Sequence, residues 1–148
     1  MLTKYYADHK IGESGTTRGR TITEADLVAF AACTGDWHAL HVNSEYARSS
    51  RFGQRIAHGL LVLSVASGLI DNDPPYATAL YSLQNVRFRA PTYLGDTIRV
   101  QWAVKDMADH DAGNGIVTFG LDVTKQDSVV CVRAEMLMLV AKDGEGVP

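Results

Sequence analysis

The feature of this sequence that most constrains its fold is the segment of residues 59–70, which contains no charged residue and no continuous polar face. A helix with this composition is apolar nearly all round, so other elements of the protein must enclose it. The segment is too short to cross a bilayer, which takes about 20 apolar residues. We therefore predict a central helix that starts at Gly59 and is buried on nearly every side.

The second half of the chain has the composition of strands. Turn-forming residues at 111–115 and 126–128 predict hairpin connections. Residues 136–140 are apolar on both faces, which favours a central or interface position for the last strand. The length of 148 residues and the hydrophobic content of 46% suit one α+β domain over residues 1–148, although four strands alone fit more than one such architecture. The predicted strands are residues 79–90, 97–106, 116–125 and 129–141.

A second helix is predicted before the apolar segment, with Thr23 as its N-cap, Asp26 as a capping-box partner and Gly35 as its stop signal. Asp36 and His41 follow directly. On an ideal helix these two residues would point about 140° apart, so we expect them on a loop that turns back on itself. Both side chains could then face one small molecule.

The Asp36 and His41 side chains suit proton transfer, because free carboxyl and imidazole groups have pKa values of about 3.9 and 6.5. Alternatively, Asp36 caps a turn and His41 is a half-buried loop histidine. The helix start at Gly59 offers unpaired N–H groups that could stabilise an oxyanion on a thioester carbonyl. Gly59 could instead serve only to relieve a tight turn.

Several motifs resemble one known family. They are Phe-Ala-Ala-Cys-Thr-Gly-Asp-Trp-His-Ala-Leu-His at 30–41, Ile-Ala-His-Gly-Leu at 56–60, and Asn-Val-Arg-Phe-Arg-Ala-Pro at 85–91. Together they resemble the MaoC-like dehydratases, which include the (R)-specific enoyl-CoA hydratases, over nearly the whole chain. The resemblance implies a hotdog fold, in which a long antiparallel sheet wraps a central helix and two subunits pair. It also implies hydration or dehydration of an acyl-CoA thioester at C2–C3, with no cofactor beyond the coenzyme A that carries the substrate.

The resemblance also implies roles for individual residues. Asp36 and His41 would form the catalytic dyad, in either assignment of base and acid, and the Gly59 N–H would polarise the thioester carbonyl. Ser67 matches a family position that hydrogen-bonds within the active site, and His58 is expected beside the substrate.

The sequence departs from the family pattern Gly-Asp-x-Asn-Pro-x-His at two positions. His38 replaces the asparagine and Ala39 replaces the proline. An imidazole can donate and accept hydrogen bonds as an amide does, but it can also carry charge. Alanine does not fix φ as proline does. We expect a functioning variant of the site, with His38 in contact with substrate.

The charge balance is mild, with 14 Lys and Arg against 17 Asp and Glu and a net charge of −3, which disfavours nucleic-acid binding. Arg48, Arg51 and Arg55 form a local basic cluster. Arg55 is the candidate contact for coenzyme A phosphates or a substrate carboxylate. Some of these arginines could instead be solvated surface charges. Arg87 and Arg89 could be phosphate ligands, but we expect them on an exposed strand face.

Other residues predict no further chemistry. Cys33 and Cys131 have neither metal-site spacing nor a disulfide framework, so no metal is expected. His9 and His110 are expected at the surface, and the tail at residues 143–148 is expected to fray outside the chemistry. The absence of a signal-peptide or transmembrane segment in this sequence predicts no membrane partner and a reduced, cytoplasmic setting.

Two functions compete with hydration. A hotdog thioesterase would direct the activated water to C1 of the thioester instead of C3. A non-catalytic acyl-thioester-binding protein is the rival from another class, motivated by the replacements at His38 and Ala39. The Asp-x4-His spacing followed by the His-Gly helix start favours hydration by a homodimeric enzyme or a higher homo-oligomer.

Overall fold

The computed structural model describes residues 1–143. The predicted fraying of residues 143–148 lies outside the described residues, apart from Asp143. The elements in chain order are a 3-10 turn at Tyr6–Asp8, β1 (Ser14–Thr16), β2 (Arg20–Thr21), α1 (Glu24–Thr34), α2 (Ala39–Val42), α3 (Ser44–Ser49), α4 (Gly59–Gly68), β3 (Ala77–Phe88), β4 (Thr97–Asp109), β5 (Asn114–Thr124) and β6 (Val130–Ala141).

The long strands form one antiparallel sheet in the order β1-β4-β5-β6-β3, and β2 pairs with the start of β4. All four predicted long strands and both predicted hairpins are confirmed. The largest difference is at β4, which continues to Asp109 because Met107, Ala108 and Asp109 pair with the early residues of β5. β6 lies between β5 and β3, which confirms the central position expected from its two apolar faces.

The sheet curves around α4, so the hotdog architecture implied by the resemblance is confirmed. Helix residues Leu61, Val62 and Val65 pack against inward-facing sheet residues such as Val104 and Phe119. The expectation that this helix is buried nearly all round is wrong for one stripe of residues spaced four apart, which is Leu60, Ser64 and Gly68. Leu60 is 62% exposed, because the sheet and α1 cover only the other sides of the helix.

The predicted signals of α1 are confirmed. The Thr23 hydroxyl accepts from the Asp26 N–H, and the Asp26 carboxylate accepts from the Thr23 N–H, which completes a capping box. Gly35 ends the helix at φ 77°, in the left-handed region that glycine adopts without strain. No helix within residues 1–143 is long and apolar enough to cross a membrane.

Two expectations for the first half of the chain are wrong. His41 is not on a loop but on the single-turn helix α2, which is too short to produce an apolar repeat in the sequence. His9 is not at the surface, because its side chain is 0% exposed and packs edge-on against Phe119, with ring centroids 5.9 Å apart. His110 is exposed, as expected.

Candidate active site

A cavity of about 380 Å³ opens at the N-terminal end of α4. Several elements meet there. Phe30 comes from α1, His41 from α2, Gly59 from the start of α4, and Phe88 from the end of β3. Asp36 enters from the coil between α1 and α2. The structure therefore brings the three predicted catalytic residues to one cavity.

Local hydrogen bonds shape the segment that carries Asp36. After the left-handed turn at Gly35, the Asp36 N–H donates to the Thr34 hydroxyl at 3.3 Å. One carboxylate oxygen of Asp36 accepts from the His38 N–H, also at 3.3 Å. The turn-capping alternative for Asp36 is thus present, but it engages one carboxylate oxygen and does not remove the side chain from the cavity.

The ring of His41 is held in one tautomer. Its Nδ1 lies 2.8 Å from the backbone carbonyl oxygen of Ile56. Because a carbonyl oxygen can only accept, Nδ1 carries the proton and Nε2 presents a lone pair. Burial is the main cause that lowers the pKa of His41, and the neighbouring His58 and His38 lower it further, against the opposing effects of the Ile56 carbonyl and Asp36. His41 is therefore neutral at pH 7.

His38 caps α2, the helix that carries His41. Its Nδ1 accepts from the Leu40 N–H at 3.2 Å and so caps the N-terminus of α2. The ring itself is exposed and does not line the cavity. The structure therefore places His38 as a support for α2, not at the substrate contact expected from the sequence.

His58 is the N-cap residue of α4 and is 3% exposed. Its ring stacks on His41, with centroids 3.7 Å apart and planes 26° apart. Its Nε2 lies 2.9 Å from the backbone carbonyl oxygen of Asp36, so Nε2–H is the donor. In the described part of the chain, Nδ1 of His58 has no hydrogen-bond partner.

Gly59 is the first residue of α4, and the side chain of His58 does not cap this helix. The positive end of the helix dipole therefore faces the cavity without a side-chain acceptor. A Cβ atom at Gly59 would lie 2.7 Å from Cε1 of Phe88. The backbone φ of Gly59 is not in the left-handed region, so close approach, and not a tight turn, accounts for the glycine.

Ser67 lies away from this cavity. It is eight residues after Gly59, which corresponds to about 12 Å along a helix axis. It lines a separate cavity of about 210 Å³ beside Thr78 and Met138. The structure of the single chain therefore does not bring Ser67 to the dyad.

The arginines are distributed differently from the sequence expectation. Arg55 forms a two-fold ion pair with Glu24 outside the cavity, and Arg48 pairs with Glu45. These contacts favour the surface interpretation for both. Arg51 does line the cavity.

Arg89, for which the sequence allows either a phosphate contact or an exposed strand face, lies just after β3, is exposed and lines the cavity. Within residues 1–143, no carboxylate lies within 4.0 Å of the Arg51 or Arg89 guanidinium. The sequence signal that points to a role for Arg89 is its position in the motif at residues 85–91.

The geometry of the site argues against metal binding and against a cysteine nucleophile. The ligating atoms of Asp36, His41 and His58 lie within 4.8 Å of one another. However, nitrogen lone pairs lie in the ring plane, so two stacked imidazoles direct them side by side and not toward one ion. Burial raises the pKa of the Cys131 thiol in the cavity wall, so this cysteine is a neutral, apolar lining group and not a thiolate nucleophile.

The chain is similar to proteins of one family. Residues 7–126 match the family model of the MaoC like domain. The chain is 31% identical over 142 residues to an (R)-specific enoyl-CoA hydratase of Rhodospirillum rubrum, which is 96% of each chain. It is 40% identical over 103 residues to Protein MaoC of Klebsiella aerogenes, but this match spans 69% of the chain and only 31% of that protein. The X-ray structure of a monoamine oxidase regulatory protein from Archaeoglobus fulgidus is similar with a TM-score of 0.89 and 34% identity over 95% of both chains. The chain belongs to the MaoC-like family of hydratases and dehydratases.

Proposed function

We propose that this protein adds water to C2–C3 of a 2-enoyl thioester, or removes it from the corresponding 3-hydroxyacyl thioester. One observation carries the proposal. A carboxylate oxygen of Asp36 and a ring nitrogen of His41 lie within 4.8 Å of each other in the cavity that also contains the start of α4. The name of the Rhodospirillum rubrum relative, an (R)-specific enoyl-CoA hydratase, supports the same reaction.

The chemistry follows from the charge that develops on the substrate. Attack of water at C3 moves the π electrons of the C2–C3 bond onto the carbonyl oxygen as an enolate. The Gly59 N–H and the helix dipole stabilise this oxygen, and preorganised donors of this kind contribute about 2.7 to 4 kcal/mol. The reaction is redox-neutral, so it needs no electron-carrying cofactor.

The dyad moves one proton. A water between Asp36 and His41 donates its hydrogens to the carboxylate and to Nε2 of His41, while its oxygen forms the bond to C3. His41 takes the proton through its Nε2 lone pair and the resulting imidazolium returns it to C2, which completes the addition. The tautomer fixed by Ile56 supports this assignment over the one in which Asp36 takes the proton.

The cavity suits an anionic carrier of the acyl group. Arg51 and Arg89 both line it, and guanidinium groups bind phosphate oxygens through paired hydrogen bonds. We assign them to the phosphates of coenzyme A or of a carrier-protein pantetheine arm. This replaces the earlier expectation for Arg55, whose guanidinium is held by Glu24.

A second copy of the chain is the proposed partner. β3 is an edge strand of the sheet, and its apolar side chains Leu80, Tyr81 and Leu83 are 51%, 52% and 41% exposed. An exposed apolar edge is a surface that other strands pair with. Light scattering after gel filtration is expected to give a dimer or a multiple of it, and a monomer at assay concentration would contradict this part of the proposal.

The reaction is tested with crotonyl-CoA by following loss of the conjugated absorbance and formation of 3-hydroxybutyryl-CoA. Asp36→Asn and His41→Ala are expected to lose activity about 10²- to 10⁴-fold. His110→Ala, a change at an exposed histidine away from the cavity, is the matched control. Equal activity in all variants would exclude the dyad. Release of free thiol without the hydroxyacyl product would identify a thioesterase, and binding without turnover a non-catalytic protein.

A further inference from the structure

His58 contacts both members of the dyad although it belongs to neither of their elements. Its ring is stacked on the His41 ring at 3.7 Å, and its Nε2–H donates to the Asp36 carbonyl at 2.9 Å. On another side it packs against Phe30, with ring centroids 5.1 Å apart. The next residue in the chain is Gly59, so any movement of His58 is shared by the start of α4.

The hydrogen bond from His58 to the Asp36 carbonyl is a long-range contact that holds the segment carrying Asp36 in place. The other bonds of Asp36 are to Thr34 and His38, two residues away on either side, and both are 3.3 Å long. Such local bonds shape the turn but do not fix it against the rest of the protein. The bond from His58 spans 22 residues of sequence and ties the turn to α4.

Stacking on His58 restricts the orientation of the His41 ring, which the hydrogen bond to Ile56 does not fix. One hydrogen bond from Nδ1 places that atom of His41 but allows the ring to tilt about it. A parallel aromatic neighbour at 3.7 Å restricts the tilt and so fixes the direction of the Nε2 lone pair. α2 cannot supply this restraint alone, because it has only four residues.

We propose that His58 is a positioning residue that sets the separation and orientation of Asp36 and His41 and couples both to the oxyanion donor at Gly59. Its effect on turnover rests on the proposed hydration reaction. Its effect on the His41 ring does not, and can be measured without substrate.

The test uses two variants that each keep one of the contacts. His58→Phe keeps an aromatic ring for stacking but has no N–H, whereas His58→Gln keeps an amide N–H at about the position of Nε2 but has no ring. His110→Gln is the matched histidine control. Circular dichroism and thermal melts establish that each variant is folded.

The first readout is steady-state hydration. We expect both His58 variants to lower kcat by about 10- to 100-fold, the range for a misplacement of the reacting groups by up to about 1 Å, with KM changed less than threefold. The second readout is an NMR titration of the His41 ring, assigned with His41→Gln. Asp36, His38 and His58 are the titratable groups around His41. Burial is the largest cause that lowers the pKa of His41, and loss of the buried His58 ring admits water, so the pKa of His41 should rise, most in His58→Gln.

The outcomes separate the possibilities. A lower melting temperature with unchanged kcat and an unchanged His41 titration would show that His58 only stabilises the fold, and would overturn the proposal. Wild-type protein that hydrates no enoyl thioester would contradict the proposed function. In that case the His41 titration in the folded variants still decides the role of His58.

Discussion

Substitution of Gly59 by alanine tests the oxyanion site most directly. The added Cβ would lie 2.7 Å from Cε1 and 2.8 Å from Cδ1 of Phe88, whereas ordinary contact begins at 3.4 Å. Either the Phe88 ring or the first turn of α4 must therefore move by about 0.7 Å, the difference between 2.7 and 3.4 Å. Phe88 is 53% exposed, so the ring can move in part. Because a misplacement of 1 Å can cost about 10²-fold, we expect Gly59→Ala to lower kcat by about 10- to 100-fold.

Gly68→Ala is the matched control for this change. Gly68 ends the same helix, and a Cβ atom there meets nothing within 4 Å. Alanine at such a position is expected to raise the free energy of unfolding by about 0.5 to 1 kcal/mol and to leave kcat unchanged. Urea denaturation and steady-state hydration measure both effects. Gly59→Ala with kcat within twofold of wild type would refute the reasoning, and Phe88→Ala in the Gly59→Ala background should restore part of the loss if the clash is the cause.

Three further changes have defined outcomes. His38→Ala removes the cap of α2 and should lower the free energy of unfolding by about 1 kcal/mol. His38→Asn introduces a favoured cap residue and should keep the wild-type stability. Equal urea midpoints for the two variants would contradict the capping role. Burial lowers the pKa of His9 in the folded protein, so below about pH 6.5 the unfolded chain binds more protons than the folded one. The free energy of unfolding should therefore fall as the pH is lowered. Urea denaturation between pH 7.5 and 5.5 should show a smaller fall for His9→Leu than for the wild type. Arg51→Ala should raise KM for the CoA thioester with little change in kcat, and Arg55→Ala should not; the reverse result would restore the earlier expectation for Arg55.

Features governed by local interactions could be predicted from the sequence. The capping box at Thr23 and the stop at Gly35 involve residues within one turn of each other, so their side-chain chemistry alone identifies them. The start of the central helix at Gly59 follows from the abrupt loss of charge after Arg55 and His58. The long strands alternate over enough residues for the pattern to stand out.

Features governed by distant contacts could not be predicted. His9 stands between Asp8 and Lys10, a polar setting that indicates a surface position, but its ring packs against Phe119 in β5, which is far away in the sequence. Arg55 is withdrawn from the cavity by Glu24, which is 31 residues earlier in the sequence. The exposed stripe of α4 depends on how far the curved sheet extends around the helix, which its own sequence does not encode.

The single turn of α2 has a consequence for how this protein can change. His41 stands on an element that would not persist in isolation, and its ring is tethered by Ile56 and His58 from outside that element. The family's proline would occupy the first helical position, now Ala39, where proline is favoured because its φ is already helical. In the family pattern, the proline ring restricts the backbone at this position. In this protein, the side-chain contacts of His41 with Ile56 and His58 provide the restraint instead. Substitutions of these contacting residues, and not only of His41 itself, can therefore change the orientation of the imidazole.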